Sequence, residues 1–274
     1  MTPGLGGPRG NLVAGERVLL VDAKGRRYLV TLVAGAMFHT HAGILAHDDV
    51  IGRTEGSSVL GSTGRAFVVV RPTLSDVVLK MPRGAQVIYP KDLGTILLAA
   101  DIGPGMEVLE AGVGSGALSM ALLRAGAHVV GYEVRPDFAA GARANVAAWS
   151  GATASYRVEV RDVYQGIDEV DLDRVVLDLP EPWRVLSHAE KALRPGGILL
   201  CYLPTINQVA RLRAEMARSD FGMAETSETL RRTWHVEERS VRPDHRMVGH
   251  TGFLTAARLL APPEDGREAN ADPA

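Results

Sequence analysis

The chain has 274 residues, 46% of them hydrophobic and 23% charged, with a formal net charge of −2 and a single cysteine, Cys201. That size supports one large core, or one core with a smaller companion domain. A lone cysteine excludes an intrachain disulfide and a multi-cysteine metal cage, and no stretch approaches the roughly 20 uninterrupted apolar residues of a membrane-spanning helix. The opening MTPGLGGPRGNLVAGERV has neither a charged leader region nor an apolar one, so the expectation is a cytoplasmic protein with no membrane partner. Charge is uneven. Residues 1–85 carry 10 Lys and Arg against 6 Asp and Glu, whereas the tail 261–274 holds one Arg against four acids. Without that tail the body is near +1, which neither supports nor excludes an RNA partner.

In chain order, residues 1–14 read as a flexible N-terminus and 15–85 as a small β-domain. GERVLLVD, YLVTLV and SSVLGSTGRAFVVVRP are short alternating runs, and STG between two β-rich stretches predicts a hairpin. No helix is predicted before PKDLGTILLAAD (90–101), where an early proline and acid precede an apolar face. From there strands alternate with helices. MEVLEA, HVVGYEV, SYRVEVRD, DRVVLDL, GILLCYLP and TGFLTAARLL read as strands. GALSMALLRAG, PDFAAGARANVAAW, WRVLSHAEKAL and TINQVARLRAEMARSD read as helices, the third stopped by Pro195-Gly196-Gly197. This grammar implies an α/β domain over 86–260 with a parallel, doubly wound sheet. The tail 261–274, rich in Pro, Ala and acid, reads as disordered. Cys201, inside an apolar strand, reads as a small buried hydrophobe.

Such sheets bind ligands beyond the carboxyl ends of their strands, so the strand ends hold the candidate chemistry. The first strand ends in LEAGVGSGAL (109–118). Gly112-x-Gly114-x-x-Ala117 fits the loose dinucleotide pattern, whereas Glu110-x-Gly112-x-Gly114-x-Gly116 fits that of S-adenosylmethionine enzymes, and spacing alone does not decide. Ser115 is no hydrolase nucleophile, because that elbow needs glycine at position 113, which is Val113. Glu133, 21 residues beyond Gly112, ends the second strand where an acid accepts from ribose hydroxyls of either cofactor. Asp162 ends the third, where a carboxylate accepts from an adenine amine. Asp178 ends the fourth, followed by two prolines and Trp183. That arrangement suits holding a base edge-on to a hydrogen-bonding group and face-on to a rigid wall. Capping the next helix is its structural alternative.

RGAQVIYPKD (83–92), LEAGVGSGAL, GYEVRPD, VVLDLPEPW, CYLPTINQV and VGHTGFLTAARL (248–259) occur in collinear order. Together they resemble the bacterial and archaeal tRNA (adenine-58-N1) methyltransferase family. DAKGRRY (22–28) and FHTHAG (38–43) are similar to its actinobacterial members in particular. The resemblance implies a Rossmann-like S-adenosylmethionine-dependent methyltransferase domain with a seven-stranded sheet behind a small N-terminal β-domain, assembled as a homotetramer with tRNA as substrate. Carried over motif by motif, it implies that Gln86, Gly112, Val113, Gly114, Ser115, Gly116, Ala117, Leu118, Glu133, Asp162, Val163 and Asp178 surround S-adenosyl-L-methionine. Asp178 would be the catalytic carboxylate, and Tyr89 and Tyr202 would line the target-base pocket.

The reaction so implied is in-line methyl transfer to adenine N1, with Asp178 accepting from N6. Two alternatives stand beside it: a methyltransferase acting on a protein or small molecule, which would share the cofactor loop, and a non-catalytic RNA-binding subunit, which would be expected to have lost the glycine loop or Asp178, both intact here. Arg231, Arg232, Arg239, Arg242 and Arg246 precede the last strand and are candidates for phosphate contact, balanced by nearby Glu and Asp. His39 and His41 lack a third ligand at metal spacing, so no metal is expected.

Overall fold

The structure, a computed structural model, describes residues 10–41, 43–81, 84, 86–151 and 155–261. The tail expected to be disordered, apart from its first residue, and positions 1–9 lie outside them. The chain divides into two compact units, Met1–Met81 and Pro82–Ala274.

In the first unit, β1 (Arg17–Asp22), β2 (Arg27–Thr31), β3 (Met37–Thr40), β4 (Gly43–Ala46), β5 (Ser58–Leu60) and β6 (Ala66–Val70) precede α1 (Leu74–Lys80). Four of the strands form an antiparallel sheet in the order β2-β1-β6-β5, and β3 pairs with β4 as a hairpin. Leu20, Val59, Phe67 and Val69 fill its core. The hairpin expected at STG is the β5–β6 turn. Helix α1 corrects the sequence reading, which placed no helix so early. Thr73 caps it by accepting from the Asp76 amide, while the Asp76 carboxylate accepts from the Thr73 amide. This reciprocal box stabilises a helix too short to show periodicity.

In the second unit, α2 (Pro90–Ala99), β7 (Glu107–Ala111), α3 (Ala117–Arg124), β8 (His128–Glu133), α4 (Pro136–Ser150), β9 (Tyr156–Val160), β10 (Leu172–Leu177), α5 (Leu186–Ala192), β11 (Leu193–Leu203), α6 (Ile206–Met216), β12 (Phe221–Glu228), β13 (Trp234–Glu237), β14 (Ser240–Pro243) and β15 (Phe253–Leu259) follow in turn. The sheet has seven strands in the order β12-β15-β11-β10-β7-β8-β9. Strand β15 runs antiparallel to both neighbours, so the sheet is mixed and not wholly parallel as expected. The central strands are continuous apolar runs because helices cover both faces. Val108, Leu109, Val175, Leu177, Leu199 and Cys201 are all fully buried there.

Two further differences are local. Pro195-Gly196-Gly197 does not stop α5, which ends at Ala192; these residues form the irregular start of β11, where its register with β10 shifts. Strand β12 was not anticipated, since it is an exposed edge interrupted between Gly222 and Glu225. No helix among the described residues is long and apolar enough to cross a membrane.

Candidate active site

The loop after β7 is fixed by three glycines with positive φ, each for its own reason. Gly112 (φ +84°) lies so close to the strand-end of β10 that a Cβ there would sit 2.2 Å from the Asp178 carbonyl oxygen. Gly116 (φ +82°) leaves no room against Val146 and Ala142 of α4, and it directs the chain into α3. Gly114 (φ +55°) faces open space, with nothing nearer than 4.0 Å. The first glycine therefore closes the turn, the third packs the helix, and the middle one leaves its surface to a ligand.

Glu133, 7% exposed, ties this loop to the end of β8. One of its oxygens accepts from the Gly114 amide at 2.9 Å and the other from the Arg135 amide at 3.0 Å. Asp162 caps the single turn Val163–Gln165 by accepting from the Tyr164 amide at 2.9 Å, and Val163 is buried behind it.

A narrow cleft opens over the loop, lined by Gln86, Val87, Ile88, Glu110, Gly112, Val113, Gly114, Ser115, Ala117, Leu118 and Asp178. Eight of these were expected from the sequence. Gly116, Glu133, Asp162 and Val163 were expected too, but they stand behind the lining. Val87 and Ile88 were missed. Glu110, named in the glycine pattern but not carried over as a site residue, is a charge in the middle of an apolar strand, 1% exposed. Its oxygen accepts from the Ser119 hydroxyl at 2.5 Å, and Ser119 accepts from Tyr156 at 3.1 Å.

Asp178 is half-buried, and no donor among the described residues reaches its carboxylate. It does not cap a helix, because Glu181 and Val185 hold the cap positions that follow. Burial, reinforced by the Glu133 charge, pushes Asp178 up to about 7. Burial also pushes Glu110 up to about 8; the Ser119 hydroxyl draws it down and the charges of Asp178 and Glu133 raise it. Three carboxyls converge on the cleft, and burial leaves two of them reluctant to ionise. A further anion such as a pyrophosphate would make that worse, whereas a cofactor carrying a sulfonium and an ammonium favours their charged forms. The residues present thus fit S-adenosylmethionine.

Tyr89 stands at the N-cap of α2, and Tyr202 lies next to the end of β11, one residue past the Leu177–Cys201 pairing. Asp92, Asp178 and Tyr89 all lie near enough to act on the charge of the Tyr202 hydroxyl, which burial pushes up to about 12. Trp183, expected as part of a rigid wall, instead packs on the core and lies beneath Arg211, 4.3 Å from its ring centre. His39 and His41 belong to the first unit and are exposed.

Comparison with known proteins agrees with this geometry. Residues 66–242 match the family described as the GCD14 subunit of the tRNA methyltransferase complex, and residues 10–59 match the TrmI-like N-terminal family. The tRNA (adenine(58)-N(1))-methyltransferase TrmI of Thermus thermophilus is 39% identical over 245 residues, covering 88% of this chain and 96% of that one. Among solved structures, a SAM-dependent O-methyltransferase from Thermotoga maritima superposes with a TM-score of 0.89 at 33% identity, over 93% of this chain and 97% of that one. The tRNA (m1A58) methyltransferase TrmI of Aquifex aeolicus superposes at 0.83 and 30%, over 92% and 100%. A loop that only glycine can make, a cleft ringed by carboxylates, a seven-stranded sheet and these matches lead to one conclusion: the chain belongs to the GCD14/TrmI family of tRNA methyltransferases.

Proposed function

We propose that this protein transfers the methyl group of S-adenosyl-L-methionine to N1 of adenine 58 in the T-loop of tRNA. The observation that carries the reading is the Asp178 carboxylate, half-buried in the cleft with no donor among the described residues. When bound, S-adenosylmethionine supplies the electrophilic methyl carbon. Adenine N1 has its own lone pair and needs no strong base, so the residues act by placement and by charge. Asp178 accepts a hydrogen bond from N6, which raises electron density at N1 and offsets the positive charge the ring acquires. Gln86 and the loop Gly112–Leu118 hold the amino-acid end of the cofactor, with Gly116 shaping the turn. Glu133 receives the ribose hydroxyls through lone pairs not used by its two amides, and Asp162, with Val163, meets the adenine. Tyr89 and Tyr202 flank the extruded base, where stacking contributes about 1–3 kcal/mol per aromatic.

The same reading makes the protein a cytoplasmic homotetramer. In the β13–β14 hairpin, Trp234 faces Pro243 and Val236 faces Val241, and Trp234, Val236 and Val241 are each more than half exposed. A two-stranded ribbon is marginal alone, which supports a subunit contact over that face. Pure protein incubated with labelled cofactor and a tRNA transcript should place one methyl on N1 of adenine 58. Label on another base, on a hydroxyl, or on protein alone would refute the assignment.

A further inference from the structure

The segment His250-Thr251-Gly252 and the first turn of α2 take no part in the reaction described above, yet they meet directly behind Tyr202. Lys91 spends all three ammonium protons there: on Asp92 Oδ1 at 2.7 Å, the Thr229 carbonyl at 2.6 Å and Thr251 Oγ1 at 2.6 Å. Thr251 gives its only hydroxyl proton to Asp92 Oδ2 at 2.7 Å. The Tyr202 phenol lies within the electrostatic reach of Thr251 and Asp92. Asp92 is fully buried and the Lys91 side chain is 6% exposed. On the other side, a Cβ at Gly252 would lie 2.4 Å from Tyr202 Cζ and 2.8 Å from its hydroxyl oxygen, so the ring rests on bare backbone.

A buried ion pair is weak support for a fold, because desolvation offsets most of its attraction, and a packed apolar pair often does as well. What a saturated network supplies is a single arrangement. We infer that Lys91, Asp92, Thr251 and Gly252 are positioning residues that lock the Tyr202 ring in one orientation beside Asp178. The lock holds the ring against the Gly252 backbone and so keeps it as a wall for the base. This rests on the base-pocket role proposed for Tyr202.

Two kinds of measurement separate the lock from that role. Thr251→Val removes the hydroxyl at constant volume, Thr251→Ser restores it, and Gly252→Ala pushes the ring without touching a hydrogen bond. With tRNA as substrate, Thr251→Val and Gly252→Ala should each lower kcat/KM by about tenfold to a hundredfold, the usual cost of displacing a positioned group by about 1 Å. Cofactor Kd should stay within about twofold, Thr251→Ser should recover most of the loss, and neither variant should add to the defect of Tyr202→Ala. Losses that add fully to Tyr202→Ala, or that track cofactor affinity, would overturn the inference. A normal rate in Tyr202→Ala would instead refute the pocket role. Crystal structures of Thr251→Val and Gly252→Ala read the lock without any substrate. The Tyr202 ring should be displaced or disordered, and a ring unmoved in both would overturn the lock whatever the substrate proves to be.

Discussion

Acidification should slow this enzyme through Asp178. The structure pushes that carboxyl up to about 7, by burial first and by the Glu133 charge second, and it is the anion that accepts strongly from an amine. A single group at that value is about nine-tenths ionised near pH 8 and about one-tenth ionised near pH 6, so kcat/KM for the cofactor should fall about tenfold over that range. The limb in kcat should lie at lower pH, because a bound cation beside the carboxyl favours its charged form. Asp178→Asn should lose the limb altogether, with turnover lower by about a hundredfold or more and cofactor Kd raised near pH 8 but little changed near pH 5, since the same attraction that lowers the pKa tightens binding. Stability should move the other way. Since the folded value stands above the unfolded one of about 3.9, ionisation opposes the fold increasingly as pH rises from about 4 to about 7. Asp178→Asn should therefore raise Tm near pH 8 and leave it unchanged near pH 4. Labelled-methyl incorporation measured across pH at constant salt, paired with thermal melts, tests both. A wild-type profile flat between about pH 6 and 8, or a tenfold limb surviving in Asp178→Asn, would refute the reasoning.

The two loop glycines should separate folding from binding. Gly112→Ala combines positive φ with a clash against the Asp178 carbonyl; it should cost more than the roughly 1–3 kcal/mol of one strained residue in chemical unfolding. Gly114→Ala meets no protein atom inside 4.0 Å, so it should cost about 1–2 kcal/mol while raising cofactor Kd in calorimetry. Equal stability losses would contradict that division. His250 has a carboxylate at one ring nitrogen (Glu228, 2.6 Å) and a carbonyl at the other (Pro204, 2.7 Å), and its value is raised chiefly by those hydrogen bonds. Its contribution is full below the unfolded value near 6.5 and lost as pH rises through the folded one. His250→Gln should accordingly lower Tm near pH 6 more than near pH 9, and a pH-independent loss would argue against the double hydrogen bond. Thr73→Ala removes the α1 capping box and should cost about 1 kcal/mol in denaturant unfolding; no loss would make the box incidental.

The second unit was largely legible because its central strands are buried on both faces and read as unbroken apolar runs separated by well-punctuated helices. Strand β12 was not, since seven of its eight residues lie partly or fully in solvent and little burial disciplines its pattern. The direction of β15 was equally hidden: a strand's own residues do not reveal whether its neighbour runs beside it or against it. Helix α1 did announce itself, through Thr73 and Asp76 three residues apart, but only to a reader looking for caps and not for periodicity. At the site, residues at strand ends were found because topology fixes where ligands bind. Glu110 was read as part of the glycine pattern but not as a site residue, because it lies inside a strand, and Trp183 misled because an aromatic after a catalytic-looking acid can as well face the core. Glycine spacing alone left two cofactors open; the collinear motifs chose S-adenosylmethionine in the sequence, and the nearness of Glu110, Glu133 and Asp178 agrees with that choice.

The account depends on where Asp178 points when the cleft is filled. A crystal structure with S-adenosylmethionine bound should show the carboxylate directed into the space in front of the methyl group, with Tyr89 and Tyr202 bounding a gap of purine thickness. A carboxylate turned onto the cofactor itself, or away from that gap, would contradict it.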